Sequence, residues 1–356
     1  MDHAPRPRPL VIAHRGASGY RPEHSAAAVR LGFAQGADAV EPDLVASSDG
    51  VLVIRHENEL SGTTDVADRP EFADRRVTRV VDGVERTGWF TEDMTWAEIR
   101  TLRCRERIPA ARPDSASHDD EETVLSLPDL LRIVDQESAR HGRPLGMVAE
   151  IKHATHFAAP SGCRSTSCSR ATSTRMAGRR TRRASPSSRS SGTCCCGSGR
   201  TACRRGWCTS SRGRGSAVDE VARHGDAAVT FDEQLTDRGL TALAAEVDGI
   251  SVGVERICPA AGFGAARTTR PTMRSWPPCP TWSRARTSPA SPVFTWTLRP
   301  ENAFLPRPLR GPGPKSAHGD FRAHWGRLLD AGVDGVFADH PDLAVALVEE
   351  RAAAAS

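Results

Sequence analysis

The sequence predicts an α/β protein with parallel strands. Short apolar runs alternate with helical segments, and ionisable residues collect where those runs end. At 356 residues, the chain is long enough for one barrel-sized domain of about 250 residues plus an insertion, or for two ordinary domains.

Leu10 to Ala13 reads as the first strand, and Ser25 to Gln35 as a helix with Ser25 as its N-cap just after Pro22-Glu23. Ala37 to Val45 is a second strand. Val51 to Arg55 is a third extended piece, entered by the turn Ser48-Asp49-Gly50. Residues 62–122 are polar and irregular and read as an insertion, with one helix predicted over Thr95 to Cys104 from the cap-like Thr95-Trp96-Ala97-Glu98. Ser126 to His141 is an amphipathic helix with Pro128 in its first turn. The strand Gly146 to Lys152 follows. Asp219 to Val254 carries helical apolar spacing and ends in a strand-like run from Gly249. Val293 to Leu298 is a further strand, Phe321 to Ala331 a helix, Gly335 to Ala338 a strand, and Asp342 to Ala352 a closing helix.

Two stretches break this pattern. Pro160 to Ser216 contains no Leu, Ile, Val or Phe and no acidic residue or lysine, and Ala265 to Pro292 lacks Leu, Ile, Val, Asp and Glu. Neither composition supplies a buried strand or an amphipathic helix, so 160–216 and 265–292 are not expected to fold natively. The preferred reading is out-of-frame translation of a GC-rich gene with the frame restored afterwards; the other is a disordered insertion. Seven of the ten cysteines fall in the first stretch, which accounts for the cysteine count better than a disulfide framework does. With no CxxC pair or His/Cys zinc spacing, a structural zinc site is not expected.

The net charge of +4 is too mild to argue for nucleic acid. No apolar run approaches the roughly 18 residues of a membrane span, and Leu10-Val11-Ile12-Ala13 is short for a signal-peptide core. As written, the chain reads as cytoplasmic, without stable membrane insertion, with an exported relative as the alternative.

Ligands in parallel α/β folds sit at the C-terminal edges of the strands. His14-Arg15-Gly16 ends the first strand, Glu41 and Asp43 lie two apart on the second, His56 closes Val51-Leu52-Val53-Ile54, and Glu150 and Lys152 share one face of their strand. An inward face carrying Glu41, Asp43 and Glu150 would repel itself unless a cation neutralised it, and carboxylate oxygens suit Mg²⁺ or Ca²⁺ rather than Zn²⁺. Histidines beside such an ion can serve as general base and acid. Arg15 and Lys152 supply positive charge for a phosphate oxygen. Taken singly each feature is more often structural, a hydrogen-bonded histidine or a salt-bridged edge. Their joint placement at successive strand ends is what points to phosphodiester hydrolysis.

His14-Arg15-Gly16, Pro22-Glu23-His24-Ser25, Glu41-Pro42-Asp43, His56 and Glu150-Ile151-Lys152, in this order, resemble the glycerophosphodiester phosphodiesterase family. The resemblance resumes at Val293-Phe294-Thr295-Trp296-Thr297 and at Gly332 to Asp342. It implies a (β/α)8 TIM barrel with an insertion after the second strand, a single barrel domain spanning 1–356, and a small glycerophosphodiester as partner. It implies a divalent cation on Glu41, Asp43 and Glu150, an acid–base pair of His14 and His56, phosphate contacts from Arg15 and Lys152, and Trp296 against the glycerol moiety. His24 stands where the family usually has Asn, and Glu57 where it usually has Asp. The two anomalous stretches replace the family's fourth and fifth strands and the helix before the seventh.

The implied reaction is hydrolysis to an alcohol and sn-glycerol 3-phosphate, with His14 assigned as base and His56 as acid, though the sequence does not order them. Two other readings stand beside it: a barrel phospholipase acting on lysophospholipid head groups, and a non-catalytic product of a damaged reading frame.

Overall fold

A computed structural model describes residues 8–158, 193–196, 206–209, 215–244, 247, 249–258 and 292–355. The expectations for 265–291, and for 160–216 apart from the segments just named, lie outside these residues. The strands are β1 (Leu10–His14), β2 (Ala39–Glu41), β3 (Asp43–Ala46), β4 (Leu52–Ile54), β5 (Val77–Val81), β6 (Val84–Gly88), β7 (Gly146–Ile151), β8 (Thr193–Cys196), β9 (Gly206–Thr209), β10 (Gly249–Gly253), β11 (Val293–Leu298) and β12 (Gly335–Ala338).

Parallel pairing runs β2–β1–β12–β11–β10–β9–β8–β7 and returns to β2, where Ala39 and Val40 pair with Gly146 and Met147. This is the barrel expected. The predicted second strand, Ala37 to Val45, is interrupted at Pro42, which has no N–H to donate to a ladder. Its two halves, β2 and β3, both pair with β7, and the Glu150 N–H donates to the Pro42 carbonyl across 2.8 Å.

One of these expectations needs correction, and two gain detail. The extended piece Val51–Arg55 holds β4, which pairs antiparallel with β3, Val45 opposite Val53. The tight turn predicted at Ser48-Asp49-Gly50 folds it back as a hairpin arm. The helix predicted over Thr95–Cys104 is a single turn, Trp96–Ile99. Its capping box forms, but Arg103 and Cys104 are drawn into bridges with Thr123 and Thr64. Within 160–216, the described segments β8 and β9 lie in parallel register between β7 and β10, and the remainder lies outside the described residues. Pairing uses main-chain groups that every non-proline residue carries, so a composition poor in apolar residues does not forbid it.

The main helices are α1 (Ala26–Ala34), α2 (Leu127–His141), α3 (Phe321–Asp330) and α4 (Pro341–Ala355). Ser25 caps α1 by accepting from the Ala28 N–H. Ser126 and Asp129 form a capping box on α2, which ends at Gly142 in the left-handed conformation (φ 63°). The outward residues of β1 and β10–β12 (Val11, Val252, Val293, Val336) pack with Trp325, Leu328 and Leu347 of α3 and α4. Val29 and Phe33 of α1 meet Leu130, Ile133 and Val134 of α2 over Val40 and Leu44. Phe33 is 1% exposed, and truncating such a side chain costs about 3–5 kcal/mol. Val66, Phe72, Trp89, Ile99 and Leu102 of residues 62–122 form an apolar cluster with Val45, Val53 and Leu60, and β5 and β6 pair antiparallel. Among the described residues, no helix is long and apolar enough to cross a membrane.

Among the described residues, Ile12, Ala39, Phe294 and Phe337 cluster in the barrel interior, with Val148 and Trp296 against them. Side chains two apart on a strand share a face. Stepping two residues from each interior residue leads from Ile12 to His14, from Ala39 to Glu41, from Val148 to Glu150, from Phe294 to Trp296 and from Phe337 to Asp339.

Candidate active site

Glu41, Asp43 and Glu150 each offer an oxygen within 4.8 Å of the other two. Register explains the convergence: Glu41 lies opposite His14 across β1–β2, and Asp43 opposite Glu150 across β3–β7. Glu41 and Asp43 are buried. Glu41 Oε2 accepts from the Arg15 N–H at 3.2 Å, while Oε1 is buried without a hydrogen bond. Asp43 Oδ1, although 3.2 Å from Lys152 Nζ, also makes none. Burial, then the charges of Asp43 and Glu150, push the Glu41 carboxyl well above the usual carboxylate range. Burial acts the same way on Asp43, but Lys152, Arg15 and His56 outweigh it and hold it well below that range. Two buried carboxylate oxygens without hydrogen bonds, in an all-oxygen cluster, fit a hard divalent cation.

Each positively charged side chain lies between carboxylates. Lys152 Nζ donates to Glu150 Oε1 at 2.7 Å. Arg15 pairs with Glu23 at 3.0 Å and with Asp43 Oδ2 at 3.1 Å. Its backbone is left-handed (φ 59°), as is that of Gly16 (φ 85°), so the chain turns sharply at the end of β1. Only glycine fits at 16, because a Cβ would stand 2.6 Å from the Ala28 carbonyl carbon. His24, at the place where Asn is usual, bonds Asp43 Oδ2 through Nε2 at 3.0 Å. An imidazole N–H there does what an amide N–H would do.

Both predicted histidines are buried or half-buried, and each meets a carboxylate at Nδ1. His14 Nδ1 lies 2.6 Å from Asp339 Oδ1, and His56 Nδ1 lies 2.5 Å from Glu57 Oε1. Burial disfavours ionisation of Asp339, but Arg299, Arg112 and His14 hold it well below the carboxylate range; Glu57 is lowered likewise by His56 and Arg107. An ionised carboxylate only accepts, so Nδ1 carries the proton and Nε2 keeps its lone pair. Burial lowers His14 to about 4 and His56 to about 3, aided by Arg15 in both. Both imidazoles are therefore neutral at pH 7.

All eight predicted residues occupy one barrel. Seven of them form the carboxylate, cation and imidazole groups just described; Trp296 is half-buried against the barrel's apolar interior. Reasoning from sequence missed Glu23, Glu57, Arg107, Arg112, Arg299 and Asp339 as site-supporting groups. Asp339 had a readable signal, since it follows β12 just as His14 ends β1. Arg107 and Arg112 had none, because they lie in irregular chain.

A family model described as the glycerophosphoryl diester phosphodiesterase family matches residues 14–177, a span holding every site residue named in the sequence except Trp296. A glycerophosphodiester phosphodiesterase of Arabidopsis thaliana is 47% identical over 102 residues, 29% of this chain and 27% of that protein. A probable glycerophosphodiester phosphodiesterase 1 of Mycobacterium tuberculosis is 34% identical over 149 residues, 42% of this chain and 44% of that protein. The chain thus spans less than half the length of these curated relatives. A crystal structure from Silicibacter pomeroyi, assigned to the glycerophosphoryl diester phosphodiesterases, superposes with a TM-score of 0.53. It covers 98% of this chain and 95% of its own, at 18% identity, a likeness of fold. The motif order, the barrel and the matched span agree in one respect: residues 14–177 of this chain are similar to the glycerophosphodiester phosphodiesterase family.

Proposed function

We propose that this protein hydrolyses glycerophosphodiesters to an alcohol and sn-glycerol 3-phosphate, using a divalent cation and two histidines. The observation that carries the reading is the convergence of Glu41, Asp43 and Glu150 within 4.8 Å beside two imidazoles whose Nδ1 atoms are held by carboxylates.

Glu41, Asp43 and Glu150 would hold the cation, Mg²⁺ or Ca²⁺, which supplies Lewis-acid polarisation of a phosphoryl oxygen when bound. Arg15 and Lys152 face the same cluster and orient a phosphate by charge-assisted hydrogen bonds, sharing their charge with the carboxylates they now pair. His14, neutral with Nε2 free, serves as base for the attacking oxygen, either water or the neighbouring glycerol hydroxyl. His56 delivers a proton to the leaving alkoxide. It must first take that proton from solvent at Nε2; burial, Arg15 and Lys152 oppose the charged form, and the Asp43 and Glu57 carboxylates favour it. Trp296, half-buried on the barrel wall, offers an apolar face to the glycerol carbons.

The test is release of glycerol 3-phosphate from glycerophosphocholine, with and without a chelator. Lysophosphatidylcholine serves as the competing substrate. Chelator-sensitive turnover of glycerophosphocholine is expected. Turnover of lysophosphatidylcholine alone, or turnover indifferent to chelation, overturns the reading.

A further inference from the structure

Both candidate catalytic imidazoles are oriented from one short piece of chain, residues 107–112. Glu57 gives one carboxylate oxygen to His56 Nδ1 and the other, Oε2, to Arg107 Nη2 at 2.6 Å. Asp339 gives Oδ1 to His14 Nδ1 and Oδ2 to Arg112 Nη2 at 2.5 Å, an oxygen that Arg299 Nε shares at 2.6 Å. The two relays share one design: imidazole, ionised carboxylate, guanidinium. They use carboxylates from opposite ends of the chain, yet both arginines lie in the irregular segment between β4 and β7.

Each guanidinium is anchored beyond its relay. Arg107 forks onto both oxygens of Glu23 at 2.9 and 2.6 Å. Arg112 donates to Glu301 Oε1 at 2.7 Å and to the Ser18 carbonyl at 3.0 Å. Between β4 and β7 the segment is braced by Glu106, which is buried. Its carboxylate accepts from the Ile108 N–H at 2.9 Å and from Ser115 Oγ at 2.6 Å, and its own N–H donates to Asp119 at 2.7 Å. A planar guanidinium holds several acceptors in fixed directions, which a lysine ammonium does not.

We infer that Arg107 and Arg112 are positioning residues: through Glu57 and Asp339 they hold His56 and His14 in the Nδ1–H tautomer with Nε2 facing the carboxylate cluster. The inference rests on the proposed function only for what the histidines do, not for how they are held.

The test combines kinetics on glycerophosphocholine with ¹H–¹⁵N spectra of protein labelled at histidine. The primary variant is Arg107→Gln, since its side chain is 29% exposed and its loss leaves the barrel wall intact. Its kcat should fall about 10- to 100-fold with KM within about twofold, the range typical when a group orienting a functional side chain is removed. Its His56 Nδ1–H resonance should be lost while that of His14 is unmoved. Arg112→Lys, which keeps the charge but not the fork, should show the converse. Arg105→Ala, removing a partly exposed pair with Asp120, should change neither. Unaltered resonances and kcat in Arg107→Gln would overturn the inference, as would both histidines changing together in each variant, the mark of a merely structural role. Should the wild-type chain turn over no glycerophosphodiester, the functional reading falls, while the two resonances still decide the positioning.

Discussion

Glu41→Gln is the sharpest perturbation of the carboxylate cluster, because it removes one charge and keeps the shape. Its oxygen lies within 4.8 Å of those of Asp43 and Glu150. Coulomb's law at that distance, with an effective dielectric of about 20, gives about 3.5 kcal/mol of repulsion per ionised pair. Glu41 is 4% exposed, so little of this is screened by solvent. Part is relieved by Arg15 and Lys152, and part by Glu41 retaining a proton. The amide can still accept from the Arg15 N–H. Without divalent ions, the variant should therefore melt no lower than wild type. Adding Mg²⁺ or Ca²⁺ at 100 times its dissociation constant stabilises a binding-competent fold by about 2.7 kcal/mol. For a chain of this size that is a rise of about 3.5 °C. Wild type should show that rise and Glu41→Gln should lose most of it, with differential scanning calorimetry in chelator and then in excess cation as the assay. A variant several degrees less stable in chelator, yet shifted as much as wild type by the ion, would refute the idea that these carboxylates form a cation site.

His14→Ala and His56→Ala should each lower kcat by about 10²- to 10⁴-fold while leaving the far-ultraviolet circular dichroism unchanged; near-normal turnover in either would remove that histidine from the chemistry. His324, buried on α3, gives a pH prediction away from the site: burial and then Arg327 lower it from 6.5 to about 4. The unfolded chain therefore binds this proton first, so its contribution is fully present above pH 6.5 and fades as pH falls toward 4, by about 3 kcal/mol in all. His324→Leu should flatten the slope of unfolding free energy against pH across that window, read from urea titrations. Gly16→Ala should cost about 1–3 kcal/mol from its left-handed backbone, and more from the contact with Ala28, measured as a lower denaturation midpoint.

Legibility in the sequence followed the range of the interactions. Period-two geometry is a property of each strand by itself. Glu41 with Asp43, and Glu150 with Lys152, could therefore be assigned to shared faces, and His14 to a strand end, before any partner was known. Caps are equally local, and Ser25, Ser126 and the Thr95–Glu98 pair stand where their neighbours place them. Error arose where local signals compete with tertiary pairing. Thr95–Cys104 has a helical start, but its second half takes bridges to distant chain.

By itself, then, the sequence determined the motif order, the strand ends and the identity of the carboxylates and imidazoles, because each follows from backbone geometry within a few residues. Only the tertiary structure decided that β2 and β3 share β7 as neighbour. It alone brought Asp339 to His14 across 325 positions, and Arg112 to Asp339 across 227. The physical reason is that a carboxylate's partner is chosen by which side chain the closed barrel delivers within about 3 Å, a matter of strand register and loop path that no spacing along the chain encodes.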